Sequence, residues 1–281
     1  MSVIIPNQKK LDQTISNIKQ AGKDKLHILA DFDRTLTYSS VDGQKIPSII
    51  AVLRNGQYLT SDYAKQAHTL FDKYHPIEID PNIKLADKKL AMDTWWRTHK
   101  QLLIESGLNK NDIVEIIKDR NIKFRQGVNK FVDYLHTQNI PLLILSASGV
   151  GEAVPLYFQN AKQDYANIHY ITNSLNWDDK GNAISIKEPI IHSLNKDETI
   201  VKNFPKIYKE IVNRKNVILL GDNLADIDMI TGFDYDNLIK IGFLNYDDTK
   251  IKKQFLENFD IIIENDGDFE SVNKLIMGLY K

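Results

Sequence analysis

The sequence contains no cysteine among its 281 residues. Disulfide bonds, thiolate nucleophiles and cysteine-ligated zinc sites are therefore excluded. Any chemistry has to come from oxygen and nitrogen side chains. The length is sufficient for a full hydrophobic core, and we expect one core domain that carries an insertion.

A strong charge of one sign and long apolar runs are also missing. The chain has 36 Lys and Arg residues against 37 Asp and Glu residues, a formal net charge of -1, which gives bulk electrostatics no preference for nucleic acid. No segment reaches the roughly 20 apolar residues of a membrane-spanning helix, and the first ten residues hold too short an apolar run for a signal peptide. We therefore expect a cytoplasmic protein, a monomer or weak dimer, with neither nucleic acid nor membrane as a partner.

Short apolar runs bounded by turn residues are plentiful. Most are continuous and do not alternate with polar residues, and helical patterns lie between several of them. Both features are typical of a parallel sheet covered on both faces, so the predicted fold class is α/β with a Rossmann-like core. One helix is predicted before the first run, from Lys10 to Ala21. The predicted strands are 26–32, 140–148, 168–172, 216–222, 238–244 and 260–265.

The segment 39–123 has helical spacing and no convincing buried strand. We interpret it as a helical cap inserted after the first core strand, which leaves 1–38 and 124–281 as the catalytic core. The cap is expected to determine substrate specificity. A hairpin is predicted at "NWDDKGNAISI", because Asp179, Lys180 and Gly181 separate two short β-prone runs.

Polar side chains stand where three predicted strands end. Asp31 and Asp33 follow the first strand, Ser146 ends the second, and Asp222 ends the strand that starts at residue 216. Ligands of open α/β sheets sit beyond the carboxyl ends of the strands, so these residues predict a phosphate and metal site. Asp31 is the natural nucleophile, attacking phosphorus to form an aspartyl-phosphate. Asp33 projects to the same side and is suited to proton transfer.

A hard divalent cation is needed to bring acids and an anionic phosphate together, and Mg²⁺ fits an all-oxygen site. Asp31, Asp222 and a backbone carbonyl near Asp33 are the predicted ligands. Ser146 and neighbouring N–H groups would bind phosphoryl oxygens. Lys196 is the candidate cation, and Asp226 would orient Lys196 or a metal-bound water.

Each of these motifs also has an ordinary structural explanation. An isolated D-x-D-x-T caps helices, Ser146 alone would be a polar strand end, Lys196 alone would be solvated, and "GDNLADID" would be a capped helix start or a weak calcium-like loop. Their joint occurrence at strand ends and nearby loops has no comparable structural explanation and favours the functional interpretation.

The four segments "DFDRT", Ser146, Lys196 and "GDNLADID" together resemble the haloacid dehalogenase-like phosphohydrolase superfamily. A narrower resemblance, to the cytosolic pyrimidine 5'-nucleotidase family, type III, rests on five further stretches. These are "YHPIEIDP", "IPLLILSASGVGE", "PIIHSLNKDE", "ILLGDNLADIDM" and "LIKIGFLN". The resemblance implies a Rossmann-like core and a cap that closes over a nucleoside monophosphate. It also implies Mg²⁺-dependent hydrolysis of nucleoside 5'-monophosphates, chiefly pyrimidine ones, with phosphoryl transfer to another nucleoside in some members.

Carried over by position, the resemblance makes Asp31 the nucleophile and Asp33 the acid/base. It assigns Mg²⁺ to Asp31, the carbonyl of Asp33 and Asp222. The residues it places on the phosphate are Ser146, Ala147 and Lys196.

The cap departs from the family pattern. The family reads the base with an acidic residue directly before an aromatic pair, and here Thr94 occupies that position, with Asp93 one residue earlier. Trp95 or Trp96 would stack on a base, although helix packing explains both equally well. The alternatives are a phosphatase of the same mechanism acting on phosphoserine or a sugar phosphate, and an inactive phosphate-binding regulatory module. The presence of all three core acids, Asp31, Asp33 and Asp222, disfavours the inactive module.

Overall fold

The computed structural model describes residues 2–56, 58–119, 122–196 and 200–280. Within these ranges the strands are β1 Val3–Ile4, β2 Leu26–Ala30, β3 Ser40–Val41, β4 Gln44–Lys45, β5 Leu142–Ser146, β6 Ile168–Thr172, β7 Ser174–Trp177, β8 Ala183–Lys187, β9 Asn216–Gly221, β10 Asn237–Leu244 and β11 Ile261–Glu264. The helices are α1 Gln8–Ala21, α2 Ile49–Asn55, α3 Tyr63–Ile79, α4 Leu85–Glu105, α5 Lys110–Asp119, α6 Val128–Gln138, α7 Ala153–Asn160, α8 Pro205–Ile211, α9 Thr249–Asn258 and α10 Glu270–Leu279. Short 3₁₀ turns occupy Lys23–Lys25, Ile200–Asn203 and Leu224–Ile230.

Seven strands form the central sheet in the order β1-β11-β10-β9-β2-β5-β6. All neighbours are parallel except β1, which pairs antiparallel with β11. The predicted α/β class is confirmed, and all six predicted apolar runs are strands of this sheet. β1 was not predicted, because it is only two residues long and lies at an edge of the sheet.

Continuous apolar strands arise because both faces of the sheet are covered. In β2, Leu26 and Ile28 belong to the core cluster that contains residues of α1, α6 and α10. Leu29, which follows Ile28, belongs to the opposite cluster, with residues of α8 and α9. Since successive strand side chains point to opposite faces, a strand buried on both sides reads as an unbroken hydrophobic run.

The segment between β2 and β5 is mainly helical, as predicted, with α2 to α5 and the short β3–β4 hairpin. It follows β2, the first parallel strand along the chain. The boundaries at 38/39 and 123/124 stay a prediction. Among the described residues, no helix combines the length and the apolar character needed to cross a membrane.

The hairpin predicted near Gly181 is formed by β7 and β8. It is bound to the helical segment through two backbone hydrogen bonds: Lys110 N donates to Gly181 O at 2.9 Å, and Ala183 N donates to Leu108 O at 2.9 Å. One apolar cluster combines residues of α2, α3, α4 and α5 with Leu175 of β7. The hairpin therefore packs against the helical segment, in a cluster that also contains Val150 and Ala153 from the chain after β5.

Candidate active site

Asp31, Ser146 and Asp222 lie at the same edge of the sheet. In the sheet register Ala30 pairs with both Ile144 and Leu220, so the strand ends that carry the three residues are level. Asp31 directly follows β2, Ser146 is the last residue of β5, and Asp222 directly follows β9. The predicted clustering at the carboxyl ends of the strands is what the topology produces.

Lys196 reaches this edge from the loop after β8 and lies between two carboxylates. Its Nζ donates to Oδ1 of Asp31 and, at 2.9 Å, to Oδ1 of Asp226. Burial alone would lower the pKa of Lys196, but the charges of Asp226 and Asp31 outweigh burial and raise it. The ammonium group is therefore held in its charged form beside the candidate nucleophile. The three residues after Lys196 lie outside the described residues.

Asp31 is only 7% exposed and is oriented by a second donor, because Thr35 Oγ1 donates to its Oδ2 at 3.1 Å. Burial raises the pKa of Asp31 to about 7, with the charges of Asp226 and Asp33 adding to the effect while Lys196 opposes it. Burial likewise raises the pKa of Asp222 well above its ordinary value. Negative charge at this edge is thus incompletely balanced by protein cations.

Asp31, Asp222 and Asp226 each offer a carboxylate oxygen, and these oxygens lie within 4.8 Å of one another. An all-oxygen set with excess negative charge fits a hard divalent cation such as Mg²⁺. Both oxygens of Asp226 are already engaged, since Oδ1 accepts from Lys196 and Oδ2 accepts from the backbone N–H groups of Asp222 and Asn223 at 3.0 Å each. Asp226, which accepts from three donors, is suited to orienting Lys196, and Asp31 and Asp222 stay the predicted metal ligands.

The turn after β9 has a local cause. Asn223 caps the 3₁₀ turn Leu224–Ile230 by accepting from Ala225 N at 3.0 Å, while Asp226 reaches back to the N–H of Asn223, which makes a capping box. A methyl group on Gly221 would lie 2.5 Å from Cβ of Asp226, so only glycine leaves room for this arrangement.

Asp33 lines a cleft of about 270 Å³ together with Asp31 and Asp222. Desolvation raises the pKa of Asp33, with Arg34 and Lys196 acting in the opposite direction. A carboxyl group with a raised pKa is suited to giving a proton to a leaving group. The other residues around this cleft are Arg34, Thr37, Tyr38, Ile46, Pro47, Ser48, Ile122 and Asn223.

Ser146 is buried, and its Oγ accepts from Ser148 N at 3.1 Å, which shapes the turn that contains Ala147. The cap covers this turn. A methyl group on Gly149 would lie 2.6 Å from Cζ3 of Trp96, so the indole of Trp96 rests directly on this glycine.

Thr94 is not brought together with the other predicted site residues. It is exposed, and its Oγ1 donates to Leu90 O of its own helix at 2.8 Å. Trp95 packs against Tyr74 inside the cap, with ring centroids 5.9 Å apart, which agrees with the packing explanation for this residue. Trp96, which is half-buried, is the aromatic residue of the pair that contacts the turn after β5.

Sequence reasoning gave no role to Thr35 and Asn245. Thr35 stands inside the quoted motif "DFDRT", so its spacing from Asp31 was an available signal. Asn245 follows β10, and its Nδ2 donates to Arg34 O at 3.0 Å and lies 3.4 Å from Oδ2 of Asp222. No sequence pattern marks Asn245, because its partners are distant along the chain.

Residues 34–280 match the model of a family described as pyrimidine 5'-nucleotidase (UMPH-1). The 7-methylguanosine phosphate-specific 5'-nucleotidase of Gallus gallus is 32% identical over 276 residues, 98% of this chain and 95% of the relative. The putative cytosolic 5'-nucleotidase 3 of Caenorhabditis elegans is 31% identical, over 91% of this chain and 69% of the relative.

Among solved structures, a crystal structure of cytosolic 5'-nucleotidase IIIB bound to cytidine superposes with a TM-score of 0.88 at 27% identity. The match covers 99% of this chain and 93% of that one. A HAD family hydrolase from Salmonella enterica serovar Typhi shares the fold, with a TM-score of 0.55 at 15% identity over 90% of this chain and 71% of its own.

Proposed function

Because the chain belongs to the pyrimidine 5'-nucleotidase (UMPH-1) family, we propose that it hydrolyses nucleoside 5'-monophosphates to nucleoside and phosphate in the cytoplasm, with Mg²⁺. Membership makes it a phosphoric monoester hydrolase of the haloacid dehalogenase-like class. The observation that carries the proposal is the arrangement of Asp31, Lys196 and Asp226 at the carboxyl edge of the sheet, next to Asp33 and Asp222. The cytoplasmic location is supported by the names of the cytosolic relative and structural neighbour.

In the proposed first step, a carboxylate oxygen of Asp31 forms a bond to phosphorus while the bond from phosphorus to the 5'-oxygen breaks. Asp33 gives its proton to that leaving oxygen. In the second step Asp33, now a carboxylate, takes a proton from a water molecule whose oxygen attacks phosphorus. The bond to Asp31 then breaks, which releases phosphate and regenerates both carboxyl groups.

The remaining residues stabilise charge during these steps. Lys196 holds its ammonium group against Asp31, where negative charge builds on the phosphoryl oxygens. Ser146 and the N–H groups of the turn at Ala147 are placed to bind the other oxygens. Asp31, Asp222 and the carbonyl of Asp33 would hold Mg²⁺, which supplies charge neutralisation for the phosphoryl group.

We propose a class of substrate broader than the pyrimidine nucleotides expected from the sequence. The Gallus gallus relative is named for 7-methylguanosine phosphate, whereas the structural neighbour is bound to cytidine. We place the base beside Trp96, which contacts Gly149 in the turn after β5, because an aromatic ring is tolerant of different bases and attracts a cationic one. Cytidine and 7-methylguanosine monophosphates are therefore both expected to be substrates.

The test is phosphate release with Mg²⁺ from CMP, UMP, dTMP, AMP, GMP, 7-methyl-GMP, phosphoserine and sugar phosphates, with an EDTA control. The proposal expects nucleotides to exceed the other esters by tenfold or more in kcat/KM, about 1.4 kcal/mol of transition-state discrimination. A lead for phosphoserine or a sugar phosphate would keep the chemistry and overturn the substrate. If no ester is hydrolysed, the proposal is overturned in favour of the inactive phosphate-binding regulatory module.

Asp31→Asn tests the nucleophile. The amide is nearly isosteric, so the variant is expected to fold with unchanged circular dichroism while turnover falls to background. Substantial residual turnover would exclude Asp31 as the nucleophile.

A further inference from the structure

Arg125 is an arginine buried at the base of the active site, only 1% exposed. It stands between the cap segment and α6, in a stretch that returns the chain to the core. Its backbone N–H donates to Leu36 O at 2.9 Å, so this stretch is already paired with the loop that carries the catalytic acids. The guanidinium carbon lies over the ring of Phe243, 4.5 Å from its centroid, and over the ring of Tyr38, 5.5 Å from its centroid.

The guanidinium group has five N–H donors, and all five have acceptors. Three acceptors are backbone carbonyls and two are side-chain oxygens. The partners are Thr35 O at 2.8 Å from Nε, Gly267 O at 2.6 Å and Asp266 Oδ1 at 3.0 Å from Nη1, and Arg34 O and Asn245 Oδ1, the latter at 2.7 Å, from Nη2.

The carbonyl of Arg34 is the informative partner. Arg34 follows Asp33 directly and has φ of 61°, a left-handed conformation that a residue other than glycine adopts at a cost. Its carbonyl oxygen accepts from Arg125 and also, at 3.0 Å, from Asn245 Nδ2. These two donors stabilise the left-handed turn. This turn determines the direction in which the side chain of Asp33 points.

The same guanidinium is connected to the other acids and to the entry of the cap. Asn245, which accepts from Arg125, lies 3.4 Å from Oδ2 of Asp222 through its own amide nitrogen. Asp266 accepts from the backbone N–H groups of Ser39 and Ser40, where the chain leaves for the cap. Arg125 therefore joins the acid loop, the metal-side loop and the start of the cap segment.

We infer that Arg125 is a positioning residue for proton transfer: by holding the carbonyls of Arg34 and Thr35, it keeps Asp33 aimed at the leaving oxygen. This inference rests on the proposed function, because it needs Asp33 as the acid. Arg125 touches neither substrate nor metal in this role. A merely structural arginine would affect all substrates alike, whereas loss of Arg125 would slow only the cleavage that needs a proton from Asp33.

The distinguishing measurement compares two leaving groups. An alkyl 5'-oxygen leaves only with a proton from the acid, whereas p-nitrophenolate leaves without one. If the side chain of Asp33 is misoriented, the rate of nucleotide cleavage therefore falls, whereas the rate of the first step with p-nitrophenyl phosphate does not. That first step is read as the burst of p-nitrophenol in a rapid-mixing experiment, before the aspartyl-phosphate turns over.

The variant is Arg125→Lys, which keeps the charge and loses the five-donor fork. The matched control is Arg214→Lys, because Arg214 also donates to backbone carbonyls of the β2 region, Lys23 O at 3.2 Å and Leu26 O at 3.0 Å, at the opposite end of that strand. Arg125→Lys is expected to lower kcat for the best nucleotide by about 100-fold, while its p-nitrophenol burst rate stays within about threefold of wild type. Arg214→Lys is expected to change neither rate by more than about twofold.

Equal losses for both leaving groups in Arg125→Lys, or no loss for either, would overturn the inference. Should Arg125→Lys fail to fold, Asn245→Ala takes its place: it removes one of the two donors to Arg34 O and is expected to show the same selective loss at smaller size. The wild-type protein reports separately on the proposed function. If wild type cleaves another alkyl phosphate and no nucleotide, the substrate proposal fails and the leaving-group comparison is made on that ester. If wild type cleaves no ester, both fail.

Discussion

Lys196 is the cation that balances two carboxylates of the site, and its removal has a defined electrostatic cost. Without the ammonium group, Asp31 and Asp226 are left buried and unbalanced, and the phosphoryl oxygens lose a charged donor. Lys196→Ala is expected to lower kcat by about three orders of magnitude. Steady-state phosphate release measures it, with exposed Lys187→Ala as the control that keeps the wild-type rate. A near-normal rate in Lys196→Ala would move the cationic role to Arg34, which lines the cleft together with Asp31 and Asp33.

Two buried histidines have lowered pKa values that bear on stability in acid. His27 lies in β2 with Nδ1 2.8 Å from Arg214 O, and burial lowers its pKa to about 4. His99 lies in α4 with Nε2 2.9 Å from the hydroxyl of Tyr63, and burial, aided by Arg54 and Lys100, lowers its pKa to about 4 as well. Both are therefore neutral in the folded protein at neutral pH.

A lowered histidine pKa makes the unfolded chain bind more protons than the folded one between pH 6.5 and 4. The free energy of unfolding therefore falls as pH drops through this window, and each histidine contributes about 2 kcal/mol of loss between pH 7.5 and pH 5. Urea denaturation at the two pH values measures the loss. His27→Gln is expected to reduce the loss by about that amount relative to the wild-type protein. An identical loss in His27→Gln would show that His27 is not the titrating group.

At the scale of elements, α4 and the turn after β5 touch through a glycine. A methyl group on Gly149 would lie 2.6 Å from Cζ3 of Trp96 and 3.0 Å from Cγ1 of Ile50, so Gly149→Ala pushes the helical segment away from the turn after β5. We expect a rise in KM of about tenfold together with a smaller loss in kcat. The control is Gly278→Ala in α10, where nothing lies within 4 Å of the added methyl group and alanine favours the helix. Unchanged KM in Gly149→Ala would separate the cap contact from substrate binding.

The elements also show what a sequence can predict. The buried parallel strands were predictable because their apolar runs are continuous. Strand ends and motif order indicated four of the site residues: Asp31, Ser146, Asp222 and Lys196. Arg125 could not be found, since its five acceptors come from segments up to 142 residues away along the chain. Thr94 was expected at the base, yet helix α4 turns it to solvent and presents Trp96 to the core, and only the docked position of α4 decides that.

At the scale of the whole molecule, the cap and the β7–β8 hairpin share one apolar cluster. Leu175 of β7 is packed in that cluster with Leu103, Leu108 and Ile113 of the cap segment. The backbone bonds from Lys110 to Gly181 and from Ala183 to Leu108 close the contact. The two segments are therefore expected to open together rather than separately.

Amide hydrogen exchange tests this expectation. The amides of Lys110 and Ala183 should exchange with the same opening free energy, and Leu175→Ala should lower both by about 2–3 kcal/mol because it leaves a cavity in the shared cluster. Leu256→Ala in α9, an exposed leucine, should leave both unchanged. Loss of protection at Ala183 alone would show that the hairpin opens independently of the cap.

The backbone link between the cap and the hairpin has a consequence for protein engineering. A chimaera made by moving residues 39–123 onto another core would carry the helices without Leu175, Gly181 and Ala183, which lie outside the transplanted segment. The graft would expose part of its apolar interior and lose two backbone partners. The segment 39–123 is therefore not a unit that a single insertion can exchange; recombination has to carry the distant hairpin along with the helices.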